Sequence, residues 1–223
     1  MIAVLDKGFV RRVSHMGSDK TNVQAAKVSF AKSEEELTNE TIAGMIRFMM
    51  DNKHGSVFEH CVATFHVKLP LFVVREWHRH RTQSYNEWSG RYSKLEAEFY
   101  IPTNVRTQVG KPGAYTFEPA PGFTTMLSQS LIQHNGEEAF RSYESMLEMG
   151  IAKEQARLVL PVNLYTQMYA TANLRNWMKF LELRTSEHAM YEIREYANAV
   201  EHILTNLFPI TMSKFIENGR IAP

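Results

Sequence analysis

Residues 79–91 read RHRTQSYNEWSGR and gather charge-recognising groups more densely than any other stretch of the chain. Arg79, Arg81 and Arg91 carry planar forks of N–H donors that match the oxygens of a phosphate or carboxylate, which the point charge of a lysine does not. His80 adds a donor, Glu87 an acceptor, and Ser84, Asn86 and Ser89 can act as either. The segment suits an anionic ligand, with a solvated basic loop as the plainer reading. Its position favours the ligand, because it follows directly on the apolar stretch 69–77, which should be tied into a core.

Other residues carry chemistry in less obvious settings. Arg157 and Arg184 lie in the apolar contexts ARLVL and FLELR, where an arginine is costly unless paired. Glu154 or Glu187 could supply that pairing; the alternative is an oxygen-rich ligand in a dry pocket. Five histidines (His54, His60, His66, His78 and His80) crowd into 27 residues, but HExxH is absent and no spacing fits a zinc site, so no metal is expected. The chain has one cysteine, Cys61. It belongs to an alternating apolar set with Ala63, Phe65, Val67 and Leu69, the pattern of a half-buried strand, so inert packing is expected rather than nucleophilic catalysis. Neither GxGxxG nor GxxxxGK[ST] occurs, so no dinucleotide fold or P-loop is signalled. Ser89 has no Ser-His-Asp arrangement around it and is given a hydrogen-bonding role.

Bulk properties narrow the class. A chain of 223 residues, 44% hydrophobic and 22% charged, is long enough for one domain, 1–223, that buries about 70% of its unfolded surface. A net charge of +1 supplies no global field for nucleic acid, so any anion site must be local. The apolar run 69–74 is too short to span a bilayer, and the opening MIAVLDKGFVRRV lacks a signal-peptide core. A cytoplasmic protein is expected.

Periodicity supplies the frame for these groups. Residues 2–13 suggest a strand and 22–29 a short helix or turn. Residues 34–52 read as a helix with Leu37, Ile42, Met45, Ile46 and Met49 near one face. A strand over 61–69 is followed by a helix that Pro70 can start and that runs through Trp77. Residues 92–101 alternate like a second strand, and the Gly and Pro-Gly contexts of 103–125 predict an irregular surface loop. Helices are expected over 125–149, interrupted near Asn135-Gly136, and over 154–160, 174–183 and 186–207. A last helix opens at Pro209 and closes at Asn218-Gly219, and 164–171 is strand-like. Helices and antiparallel-looking strands without regular alternation predict an α+β fold.

Arg79-His80-Arg81, seven residues and then Ser89 resembles the signature of the flavin-dependent thymidylate synthases, with Ser84, Asn86, Glu87 and Arg91 at their places. Satellite blocks extend the likeness: LDKGFVRRV, AAKVSF at 25–30, HGSVFEH at 54–60, TFHVK at 64–68 and GRYSKL at 90–95. ARLVLPVNLYT at 156–166 and FLELRTSEHAMYEI at 180–193 complete it, and only about 103–150 is weakly matched. The resemblance implies methylation of dUMP to dTMP with methylenetetrahydrofolate as one-carbon donor, FAD as cofactor and NADPH as reductant. It also implies a homotetramer with active sites shared between subunits.

Carried over position by position, the resemblance implies flavin contacts from Arg79, His80, Arg81, Ser29 and Ser56, with Glu59, Asn173, Arg175 and His188 lining the same cofactor. Ser89, Gly90, Arg91 and Arg157 are implied for the nucleotide, with Arg75, Glu76 and Glu87 nearby. Glu87 is implied to line the flavin site as well. Arg184 would contact the pyrimidine, and His54 would lie near the folate and flavin rings. Two positions depart from the family pattern. Glu76 stands where glutamine is usual and would repel a phosphate unless Arg75 or Arg79 held it or it turned away. Lys179 stands where a relative has asparagine and could pair with a cofactor phosphate. Two other readings compete: an oligonucleotide-binding module stacking bases on Tyr85, Trp88 and Tyr92, and a histidine-cluster metallohydrolase.

Overall fold

The computed structural model describes residues 1–30 and 37–223. Strands β1 (Ile2–Val4) and β2 (Gly8–Met16) form a hairpin where one strand was expected. The break falls at Leu5-Asp6-Lys7, with Leu5 at a φ of 57°. Helix α1 (Asp19–Lys27) starts three residues before the expected 22, because the Ser18 N–H donates to Thr21 Oγ1 at 3.0 Å and fixes the first turn. Helix α2 (Asn39–Asp51) is capped by Thr38, whose hydroxyl accepts from the Thr41 N–H at 3.2 Å. Residues 34–36 of the expected helix lie outside the described residues.

Strand β3 (Val62–Pro70) buries Ala63, Phe65, Val67 and Leu69 as the alternation requires, and Pro70 leads directly into α3 (Leu71–Trp77). The strand that follows is β4 (Ser84–Glu87), inside the arginine-rich segment. No ladder strand covers 92–101; the stretch makes one bridge, Phe99 to Leu164. Its alternation reflects Leu95 and Phe99 packing into a second apolar cluster beside α4 (Gly122–Glu148), while β4 takes the free edge of the sheet. The expected irregular loop instead contains a hairpin, β5 (Arg106–Lys111) and β6 (Ala114–Pro119), turned at Pro112-Gly113 with Gly113 at a φ of 86°. Helix α4 runs unbroken through Asn135-Gly136. Gly136 is a close-approach site, since a Cβ there would press on the Phe99 ring at 2.9 Å.

The chain continues through α5 (Lys153–Ala156), a 3-10 turn over 157–159, β7 (Tyr165–Asn173), α6 (Leu174–Arg184), α7 (Tyr191–Leu207) and α8 (Pro209–Glu217). Helix α7 opens five residues after the expected 186. The sheet order is β1-β2-β3-β7-β4, antiparallel throughout, with the two-stranded hairpin separate, so the fold is α+β. One face of the sheet meets the helices in a core centred on Trp77, Trp177, Phe65, Phe180 and Tyr196, all 0% exposed. The other face carries Thr64, His66, Gln167, Tyr169 and Thr171.

A buried carboxylate ties the β5–β6 hairpin to this body. Glu192 at the start of α7 is 5% exposed and accepts from Arg106 Nη2 at 2.8 Å and from the Tyr100 hydroxyl at 3.2 Å. The Arg106 guanidinium also lies 5.1 Å from the Tyr191 ring centroid. Arg106→Ala leaves a buried charge without its main partner and is expected to cost about 3 kcal/mol in urea unfolding. A variant as stable as the parent would show that the hairpin is held by other means.

Candidate active site

The singled-out residues fall into three neighbourhoods. The first is built where α3 ends against the end of α6. Arg184 Nε donates to His80 Nε2 at 3.0 Å, Nη1 to Glu76 Oε2 at 2.9 Å, and Nη2 to the Glu76 carbonyl at 3.0 Å. The Arg184 side chain is 16% exposed and Glu76 40%. Arg184 is therefore paired, as its apolar context required, but by Glu76 rather than by Glu187, whose carbonyl accepts from Arg194. Glu76 is held, and its holder is neither Arg75 nor Arg79.

His80 accepts from Arg184, so its Nε2 carries no proton and its ring proton is on Nδ1. Burial and the adjacent Arg184 charge push its pKa down to about 4, against a weaker opposing pull from Glu76. A folded-state pKa below the unfolded value of about 6.5 favours the neutral ring, so its contribution is complete above pH 6.5 and is lost as the pH falls toward 4. His80→Gln is expected to flatten the fall in urea midpoint between those two pH values. Parallel profiles for parent and variant would remove His80 from the acid response.

The surrounding loop is fastened from beneath. Trp77 Nε1 donates to Gln83 Oε1 at 3.0 Å, and the Tyr85 hydroxyl donates to the His80 carbonyl at 2.7 Å. Neither Gln83 nor Tyr85 was singled out for this role; the signal available was their place inside the motif. Arg75, Arg79 and Arg81 are exposed, and among the described residues none has a side-chain hydrogen bond or ion pair. Three free guanidiniums on one short segment fit an anion as large as a dinucleotide cofactor's diphosphate.

The second neighbourhood lies past the far end of β4. Arg91 Nε pairs with Glu154 at 2.8 Å, both groups being more than half exposed, and the Ser89 hydroxyl accepts from the Arg91 N–H at 3.2 Å. Gly90 is buried beside Arg157, whose Cδ would lie 3.2 Å from a Cβ at that position. Arg157 itself is exposed and lacks a partner among the described residues, so Glu154 is not its pair. Glu87 accepts from the Thr166 hydroxyl at 3.0 Å. It borders a cleft of about 370 Å³ lined also by Asn86, Trp88, Glu96, His66, Gln167 and Tyr169. The register places Arg11, His66, Tyr169 and Asn86 side by side across four strands. Arg11 Nε donates to His66 Nδ1 at 2.9 Å, and His66 Nε2 bonds Gln167 at 2.9 Å. Asn86 and Glu87 of this cleft stand in the motif, and Trp88 is the stacking residue of the oligonucleotide reading; the strand register that brings in His66, Gln167 and Tyr169 cannot be read from motifs.

The third neighbourhood sits at the opposite end of α6. Arg175 Nη1 donates to Glu59 at 2.6 Å and Nε to the Pro223 carbonyl at 3.1 Å. The guanidinium lies so close over Gly55 that a Cβ there would fall on it. His54 and Ser56 flank this glycine and are exposed, and Asn173 caps α6 by accepting from the Asn176 N–H at 2.9 Å. Ser29, Lys179 and His188 are exposed. Arg175 and Arg184 are nine positions apart on one helix, about 13 Å along its axis. Among the described residues one hydrogen bond, from Asn176 Nδ2 to the Thr82 carbonyl at 3.4 Å, links the third neighbourhood to the arginine-rich loop of the first, and no side-chain hydrogen bond or ion pair joins Arg91 or Arg157 to Arg184.

Cys61 is 0% exposed, its thiol donating to Asn22 Oδ1 at 3.1 Å, and burial pushes its pKa up to about 11. It is packing, as its strand pattern predicted.

Comparison with known proteins decides among the competing readings. The family model described as thymidylate synthase complementing protein matches residues 12–210. A flavin-dependent thymidylate synthase of Thermotoga neapolitana is 44% identical over 219 residues, covering 97% of this chain and 94% of the relative. The chain belongs to the flavin-dependent thymidylate synthase family. A second such enzyme, from Thermosipho africanus, is 42% identical over 214 residues, covering 96% of this chain and 93% of its own. Among solved structures, the UMP/dUMP methylase PolB of Streptomyces cacaoi bound with 5-Br dUMP superposes with a TM-score of 0.91 at 38% identity, covering all of both chains. The protein is accordingly an enzyme, and its one cysteine is sealed in the core. Family membership sets aside the oligonucleotide-binding and metallohydrolase readings.

Proposed function

We propose that the protein converts dUMP to dTMP, with methylenetetrahydrofolate as one-carbon donor, FAD as cofactor and NADPH as reductant. Residues 1–223 act as one domain in this reading. Bound flavin would supply the hydride chemistry; this chain's residues bind, orient and polarise. The carrying observation is the Arg184 fork, fixed by three hydrogen bonds in a largely buried setting beside His80. Two of its five N–H groups remain for a ligand. Aimed at pyrimidine oxygens, they would stabilise the negative charge that makes carbon five nucleophilic, so no covalent thiol is required.

The remaining roles follow the three neighbourhoods. Arg79, Arg81, His80, Ser29, Ser56, Glu59, Asn173, Arg175 and His188 would hold FAD, with His54 facing the folate. Ser89, Gly90, Arg91 and Arg157 would hold the nucleotide phosphate and sugar beside Arg75 and Glu87. Active sites shared between copies of the chain would unite these groups. An exposed apolar stripe on α4, Phe123, Met126, Leu127 and Leu131 at 72%, 60%, 48% and 55% exposure, supports assembly, and a homotetramer is proposed. A cytoplasmic location fits this substrate set, and no described helix is long and apolar enough to cross a membrane.

Purified protein is expected to be yellow, to be bleached by NADPH without oxygen, and to form dTMP from dUMP only when methylenetetrahydrofolate is added. A colourless protein that forms no dTMP when supplied with FAD would overturn the proposal.

A further inference from the structure

Glu76 brings a negative charge to the group proposed to receive an anionic nucleotide. Its Oε2 accepts from Arg184 Nη1 at 2.9 Å, and its own carbonyl accepts from Nη2 at 3.0 Å, so one residue grips the fork by side chain and main chain together. With His80 on Nε at 3.0 Å, the guanidinium plane is determined from three directions. The Glu76 side chain is 40% exposed, so its charge is felt on the solvent side while its partner lies deeper at 16%. A plain surface pair would leave Arg184 free to swing; here the Glu76 carboxylate, the main-chain acceptor and the ring fix it together.

We propose that Glu76 is the positioning residue for Arg184 and that it trades nucleotide affinity for a pre-aimed fork. Geometry and charge are separable in this arrangement. Glutamine retains an acceptor oxygen for Nη1 while removing the negative charge, and alanine removes both. The cost of the charge is repulsion of the anionic nucleotide as a whole; the gain is that Arg184 need not be ordered when dUMP arrives. This proposal rests on the dUMP reading given above.

The test compares the native enzyme with Glu76→Gln and Glu76→Ala in three measurements. Steady-state kinetics with dUMP are expected to show Glu76→Gln at least tenfold above Glu76→Ala in kcat, because only the former keeps all three contacts on the fork. Calorimetry with 5-bromo-dUMP is expected to show Glu76→Gln binding about fivefold more tightly than native, the effect of removing one like charge. Arginine side-chain NMR is expected to show the Arg184 Nη1 protons protected from solvent exchange in native and Glu76→Gln protein and exchanging faster in Glu76→Ala, which keeps only the His80 and main-chain contacts. Equal kcat for the two variants, or equal nucleotide affinity for native and Glu76→Gln, overturns the proposal for an enzyme that makes dTMP. A protein that makes no dTMP fails the functional reading instead. The NMR comparison still decides the clamp in that case, and equal exchange in all three proteins would refute it.

Discussion

Arg184→Ala is expected to lower dTMP formation about 100- to 1,000-fold, the loss seen when one pre-aimed donor is removed from a developing negative charge, while FAD stays bound. The flavin arm of the expectation follows from position: of the proposed flavin contacts only His80 bonds Arg184, while Arg79 and Arg81 are exposed and make no contact that depends on it. The fold should tolerate the change, since the deserted Glu76 side chain is 40% exposed and can be hydrated. Arg184→Lys offers a point charge in place of a fork and should recover only part of the rate. Single-turnover formation of dTMP, measured beside the flavin absorbance spectrum, separates chemistry from cofactor loss. A variant that keeps the parental rate would remove Arg184 from the mechanism.

Trp77→Ala is expected to cost about 3–5 kcal/mol of stability, as for other buried large-to-small changes, and to strip the flavin from whatever protein still folds. Trp77 is 0% exposed, with ring centroids 4.6 Å from Phe180 and 6.3 Å from Trp177. It is also the floor of the arginine-rich loop, donating to Gln83 and accepting at its carbonyl from the Tyr85 hydroxyl at 3.2 Å. Trp77→Phe keeps most of the volume but leaves the Gln83 oxygen without its buried donor, a loss of about 1–3 kcal/mol. Urea unfolding orders the three proteins, and the ratio of bound flavin to protein reports the loop. Full flavin occupancy in a folded Trp77→Ala protein would show that the loop does not depend on this floor.

Much of this arrangement was legible in the sequence because its signals are local. The alternation from Cys61 to Leu69 marked β3, Pro70 and Pro209 marked two helix starts, and the thirteen-residue motif marked the family. What could not be read depends on partners distant along the chain. β4 is a strand because Ser84 and Glu87 meet Thr171 and Met168, some 80 residues later. The alternation of 92–101 signalled burial correctly but not its object, since Phe99 faces α4 rather than a sheet neighbour. Pro112-Gly113 reads as loop punctuation, yet the same residues turn a hairpin whose anchor, Glu192, is distant in sequence. Within the site, the pairing of Arg184 with Glu76 spans 108 positions and no spacing rule contains it. The expectation that Arg91, Arg157 and Arg184 converge on one cleft belongs to the assembled oligomer; within the chain none of Arg184's three hydrogen bonds goes to either arginine's neighbourhood, and the proposed tetramer carries the rest.

Helix α6 bears Arg175 in its first turn and Arg184 at its last position, with Trp177, Phe180 and Leu181 sealed in the core between them. Such a helix is a gauge rod: its residue count fixes both the span and the relative azimuth of its two guanidiniums. Losing or gaining one residue between them would turn one end by about 100° against the other, so indels should be far less tolerable there than any substitution on its outer face.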